Sequence, residues 1–229
     1  AGDTKWFSPA LETLAAGPGT MAPGRALVAL AKLAGDRAVP TLEQAAQDPR
    51  WWLRARVYEA AGQLSTTDTS LVGKILSKGL EDKDVRVAAQ ALETLAASSS
   101  PLAVPALVRV LSDPAAPLEL RGTAADAAVE RKDPALVPAL LKSLPFAVGP
   151  GSGELRGSLR KALLASVSTG TAQAAEVDAA LKGFPAFLDE PRVLKPLNAP
   201  RSFVFETEKG GFVIRLTTEA PNHAAAFAE

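Results

Sequence analysis

Apolar and polar positions along this chain recur in two interleaved series. Four segments open with an apolar residue and an Arg and continue as Ala-rich stretches with helical spacing: LRARVYEAAGQL (53–64), VRVAAQALETL (85–95), LRGTAADAAV (120–129) and LRGSLRKALL (155–164). Their arginines, Arg54, Arg86, Arg121 and Arg156, stand 32, 35 and 35 residues apart. Between them lies a second series, VPTL (39–42), VGKI (72–75), VPAL (104–107) and VPAL (137–140). Its last residues, Leu42, Ile75, Leu107 and Leu140, are spaced 33, 32 and 33. Two independent marks with one period predict a repeated unit of two helices. The first helix follows the Arg and ends near TTDT (66–69), ASSSP (97–101) or ERKDP (130–134), where Ser, Thr and Asp are available to cap the next one. The second starts around the VPxL mark, with Pro near its first turn, where a missing N–H costs least. It stops at QAAQDP (44–49), GLEDKD (79–84) or VLSDPAAP (110–117). A helix pair this short cannot bury its own apolar faces, and stacked neighbours bury them jointly. The predicted fold class is mainly α: a right-handed α-solenoid of helix pairs, followed by a short C-terminal β-hairpin and the start of a helix.

The stretch LEDKDVRVAAQALETL (80–95), with Asp82, Val85, Arg86, Ala88, Ala89, Ala91 and Leu92 in place, resembles the HEAT-like repeats of the PBS-lyase type. The resemblance covers roughly residues 20–182. APGRALVALAKLAG (22–35) reads as a degenerate first repeat and WFSPALETLAAG (6–17) as a capping helix, so residues 1–182 form the solenoid domain. The fourth repeat departs most: its turn PFAVGPGSGE (145–154) has no Asp, and its second helix, TAQAAEVDAAL (171–181), lacks the VP mark. The resemblance implies that each repeated Arg bonds the Asp of an inter-helix turn. Asp48, Asp82 and Asp113 are then the expected partners of Arg54, Arg86 and Arg121. Such charge-assisted pairs would set the angle between repeats, so the series is expected to be structural rather than ligand-binding.

Protein-binding candidates come from RWWLRAR (50–56). Trp51 and Trp52 are adjacent, and adjacent helical side chains point about 100° apart, so both cannot face one core. One is expected to be packed and the other partly exposed beside Arg50 and Arg54, as an anchor for a protein client or assembly partner. The competing use, stacking a nucleobase as HEAT-like DNA glycosylases do, is opposed by a net charge of zero, from 25 Lys plus Arg against 25 Asp plus Glu. No nucleic-acid partner and no cofactor are therefore expected. With no Cys and a single His, His223, no thiolate metal site can be assembled, and a Ser-His-Asp triad would have to use His223, which no G-x-S-x-G motif accompanies. GPGSG (149–153) lacks the Lys of a phosphate-binding loop and reads as a loop.

Two segments remain. GFPAFLDEPRVLKPLNAPRS (183–202) carries Pro185, Pro191, Pro196 and Pro200 and is expected to be an extended arm. FVFETEKGGFVIRL (203–216) alternates about Lys209-Gly210-Gly211 and predicts a hairpin; TTEAPNHAAAF then enters a helix at Pro221. Residues 203–229 resemble the opening of cyclophilin-type peptidyl-prolyl isomerases in Thr207, Lys209, Gly210, Leu216, Ala220-Pro221 and Phe227. Gly210-Gly211 is doubled relative to that pattern, and Ala226 replaces its Asn. That resemblance implies a bacterial solenoid joined to an isomerase domain that breaks off within its first elements, leaving this chain without activity. A plain protein-binding scaffold with no enzyme attached is the alternative. A two-stranded hairpin is marginal alone, so 203–216 is expected to pack on the arm or to pair with a second copy. The beginning, AGDTKWF, fits a cytoplasmic segment as well as a protein exported to the cell envelope with its signal removed.

Overall fold

The structure is a computed structural model that describes residues 4–19, 21–148, 152–184, 201–207 and 210–216. Most of the Pro-rich arm, the helix expected at Pro221, and His223 lie outside the described residues. The chain divides into two compact units, Ala1–Leu188 and Asp189–Glu229.

The first unit is helical throughout. Helix α1 (Thr4–Ala16) packs along α2 (Ala22–Ala34). Pairs then follow in chain order: α3 (Val39–Ala45) and α4 (Trp51–Ala61); α5 (Thr69–Gly79) and α6 (Val85–Ala97); α7 (Ala103–Ser112) and α8 (Leu118–Arg131); α9 (Val137–Ser143) and α10 (Gly153–Ala165); and finally α11 (Ala172–Lys182). In one layer α2, α4, α6, α8 and α10 lie side by side. The other layer holds the intervening helices, of which α7 and α9 pack directly on each other.

Local chemistry explains where these helices begin and end. Asp68 caps α5 by accepting from the amides of Ser70 and Leu71, and Asp84 caps α6 through Arg86 N–H. Thr171 does the same for α11 through Ala174 N–H. Pro40 and Pro138 occupy the first turns of α3 and α9, where no N–H is needed. Lys132 closes α8 in the left-handed region, at φ 52°.

The core is a continuous line of aliphatic side chains between the layers. Leu42, Leu107 and Leu140, three of the four residues in the second periodic series, are fully buried, and Ile75 is 6% exposed. Their period is therefore the period of the core. Burying one such side chain contributes roughly 1.5–3 kcal/mol. Ala60, Ala61, Ala91, Ala124, Ala125 and Ala128 fill the helix contacts, and these small side chains let neighbouring axes approach closely. Gly79 takes this furthest: a Cβ there would sit 2.5 Å from the Ala91 Cβ and 2.7 Å from the Tyr58 ring.

The second unit contains an antiparallel hairpin of β1 (Arg201–Thr207) and β2 (Gly210–Leu216). Pairing runs from Arg201 with Leu216 to Thr207 with Gly210. Gly210 and Gly211 thus belong to the second strand, whereas the sequence placed them in the turn. Gly210 has φ 126°, which a residue with a Cβ rarely adopts, and this accounts for a glycine at the strand entry. Phe205 and Phe212 face each other across the ladder with ring centroids 4.9 Å apart. On the opposite face Val204 and Val213 are exposed.

Candidate functional site

The sequence-derived candidates gather around the turns that enter α4 and α6. Arg54 extends from α4 to the turn before α6 and donates through Nε and Nη2 to both carboxylate oxygens of Asp82, at 2.7 and 2.9 Å. Its Nη1 donates to the backbone carbonyls of Asp48 and Pro49. Both charged side chains are nearly enclosed, 7% and 10% exposed. The Arg54 guanidinium holds the Asp82 carboxyl below the usual range.

Arg86 does not occupy the matching place. It donates to its neighbour Asp84 rather than to Asp82 or Asp113, and its side chain is 53% exposed. The reason lies in the helix starts. Arg54, Arg121 and Arg156 are each the fourth residue of their helix, whereas Arg86 is the second residue of α6. Two residues of α-helix rotate a side chain by about 200°, which carries Arg86 from the interior to the surface. The fourth residue of α6 is Ala88, buried at 4% exposure. On the acceptor side, Asp48 and Asp82 stand three residues before α4 and α6, but that position before α8 is Ala115. Asp113 accepts instead from Ala115 N–H and orders its own turn. Donor and acceptor are thus lost together at the α6–α8 joint. There Arg131, at the far end of α8, donates to the carbonyls of Ala96 and Ser98.

Arg121 and Arg156 are buried, with backbone carbonyls as acceptors. Arg121 donates to Ala116 and Phe146, and Arg156 to Ala147 at 2.7 Å with its guanidinium 3.7 Å from the Phe184 ring centroid. Desolvation lowers the Arg156 pKa. The expectation of an Asp partner for Arg121 is corrected accordingly.

Exposed Arg86 covers the aromatic candidate. Its guanidinium carbon lies 3.5 Å from the ring centroid of Trp51, which is 37% exposed. Trp52 turns toward the core and is half-buried, with Arg50 5.0 Å above its ring. Arg50 also donates through Nε and Nη2 to Asp48, each at 2.8 Å. The Arg50 and Arg86 side chains hold the Asp48 and Asp84 carboxyls below their ordinary values, that of Asp84 at about 2. The result is a surface row of Trp51, Arg86 and Asp84, with Glu119 of α8 contributing to the field at Arg86. Such a row can present a rigid aromatic edge and a charged rim to another protein. Sequence reasoning missed the Trp51–Arg86 contact because the Arg was counted from its apolar neighbour rather than from the helix start. The Asp at position 84, immediately before the apolar run, was the signal that would have located that start.

Among the described residues, no three or more His, Cys, Asp or Glu are grouped to hold a metal ion. Nor is any helix of the described residues long and apolar enough to cross a membrane. Residues 73–145, from within α5 through α9, match the family model of HEAT repeats. No curated protein matches the chain. The HEAT-like helical repeat region is thereby established for that segment, and repeats of this kind commonly mediate protein–protein interaction.

Proposed function

We propose that the helical unit is a scaffold that binds a protein partner through the row formed by Trp51, Arg86 and Asp84. The observation that carries this reading is the Trp51–Arg86 stack. It is a large aromatic at the surface, held in one orientation by a guanidinium that Asp84 fixes in turn. Preorganised aromatic and Arg side chains lose little freedom on docking and are the residue types that dominate binding energy at interfaces. The balanced charge and a sequence without Cys favour a protein partner over a nucleic acid or a thiolate-bound metal.

The test is site-specific photo-crosslinking in cells that make the protein. A photoreactive side chain at position 51 is expected to give a defined protein adduct, and the same group at Lys74 is not. With the photoreactive group moved to position 50, Trp51→Ala should abolish that adduct. Crosslinks identical at positions 51 and 74, or indifferent to Trp51→Ala, would remove the row from any binding role.

A finer form of the proposal joins the scaffold to a cyclophilin-type domain, so that a bound client is held near a prolyl isomerase at high effective concentration. Its support is the resemblance around Thr207, Gly210 and Leu216, together with an antiparallel hairpin over those residues. Isomerisation needs an apolar pocket for the proline ring and a donor at the prolyl nitrogen, against a barrier of about 18–20 kcal/mol. Arg215 is exposed, opposite Ser202. Residues 1–229 are therefore expected to leave a proline-limited refolding rate at the buffer value. Acceleration that Arg215→Ala abolishes would show that the reading is wrong.

A further inference from the structure

A groove of about 840 Å³ is lined by α6, α8 and α10, and its first α6 residue, Glu93, lies two helical turns beyond Arg86. Its floor contains Ala96, Ala97 and Ala127, so little side chain stands between a visitor and the helix backbones. Gly122 and Gly157, at the same place in α8 and α10, have open space where a Cβ would point. The rim is charged in a definite order. Glu93 and Asp126 are the ninth residues of α6 and α8, and Glu130 follows Asp126 by one helical turn. All three are exposed. Asp126 accepts a hydrogen bond from Ser158, while Glu93 and Glu130 have no ion-pair partner among the described residues. Of the two cations in the lining, Arg131 is turned onto the carbonyls of Ala96 and Ser98. Lys161, the ninth residue of α10, closes the opposite end.

We propose that this groove receives a Lys- or Arg-bearing helix of a partner protein, with its cationic residues over Glu93, Asp126 and Glu130 and its acidic end toward Lys161. The proposal rests on the scaffold reading above and names a second contact surface for it. The small floor admits a helix at a short interaxial distance, of order 8 Å. Crossing from α6 to α10 covers two such steps, about 16 Å or about 11 residues of helix, so a helix of about 14 residues spans the groove with a residue or two over at each end. The order of charges fixes the direction in which it lies, because the reversed helix would set Lys161 against cations.

The experiment uses the full chain and two fluorescein-labelled helical peptides of about 14 residues. One carries Lys and Arg on one face, and the other carries Glu at the same positions. The basic peptide is expected to bind, more weakly as salt rises, and the acidic peptide is not. Combining Glu93→Lys, Asp126→Lys and Glu130→Lys should weaken binding about tenfold, since three exposed pairs are lost. Glu12→Lys, Glu176→Lys and Asp178→Lys change the net charge equally but lie elsewhere, and should leave affinity unchanged. The isosteric pair Glu93→Gln and Glu130→Gln should weaken it about threefold and avoids any folding defect of the reversals. Equal loss in the groove and control sets, no loss in the groove set, or equal binding of the acidic peptide would each overturn the proposal. If the groove fails while the adduct at position 51 persists, the scaffold reading survives without this surface.

Discussion

Arg54 and Arg86 follow an apolar residue in the same sequence pattern and meet opposite fates, because what matters is distance from the helix start. Arg54 is enclosed with Asp82, and removing one member of such a pair leaves the other charge buried. Arg54→Ala is expected to cost about 3–5 kcal/mol in chemical denaturation, a large share of the 5–15 kcal/mol typical of a domain. Replacing both partners by apolar residues, Arg54→Met with Asp82→Leu, should recover most of that loss, since burying the pair carries its own desolvation cost. Arg86→Ala is expected to leave the denaturation midpoint close to that of the unsubstituted chain, because its ion pair with Asp84 is open to water. A loss comparable with that of Arg54→Ala would restore the internal role that the sequence pattern assigned to Arg86.

At the scale of the element, close approach rather than propensity holds α5 in place. Gly79 ends α5 against Ala91 and Tyr58, and a methyl group there has no room. Gly79→Ala is expected to lower stability by about 1–3 kcal/mol through overpacking, although Ala is ordinarily the better helix former. Thermal melts of the two proteins decide the sign. The helices themselves were legible in the sequence because capping and turn residues mark their ends and the core series Leu42, Ile75, Leu107 and Leu140 repeats at one period. The register of α6 was not legible, because Val85-Arg86 and Val87-Ala88 both satisfy an apolar pattern and only the Asp84 cap chooses between them. The Trp51–Arg86 stack depends on that register and was hidden with it. The carbonyl acceptors of Arg121 and Arg156 were also hidden, because every residue has a carbonyl and the sequence does not distinguish one from another. In the hairpin, the alternation located both strands, while the doubled glycine left open which residues form the turn.

For the whole molecule, the paired carboxylates tie stability to pH. Asp48, Asp82 and Asp84 all have folded pKa values below the value of about 3.9 typical of an unfolded Asp. The folded chain therefore binds fewer protons than the unfolded chain between those values. The stabilisation is complete above about pH 5 and declines as pH falls through 4, and the part owed to Asp84 is lost as pH falls through about 2. Melting temperature against pH should trace this limb, and Asp82→Asn should make it shallower. An acid limb of unchanged steepness in that variant would mean that the Arg54 pair contributes nothing to it.

The reach of the buried arginines also bears on how the chain folds as it is made. Arg54 waits for Asp82, 28 residues later, and Arg121 for the Phe146 carbonyl, 25 residues later. On a ribosome adding about 5–20 residues per second, each of these cations spends roughly one to six seconds before its acceptor has been polymerised, and longer before that acceptor clears the exit tunnel. A nascent repeat thus holds its guanidinium by earlier backbone carbonyls alone until its successor emerges. Docking of helices is then expected to proceed from the N-terminus in steps set by translation, and a pause that leaves Arg54 outside the exit tunnel with Asp82 still inside should hold the growing chain in its least settled form.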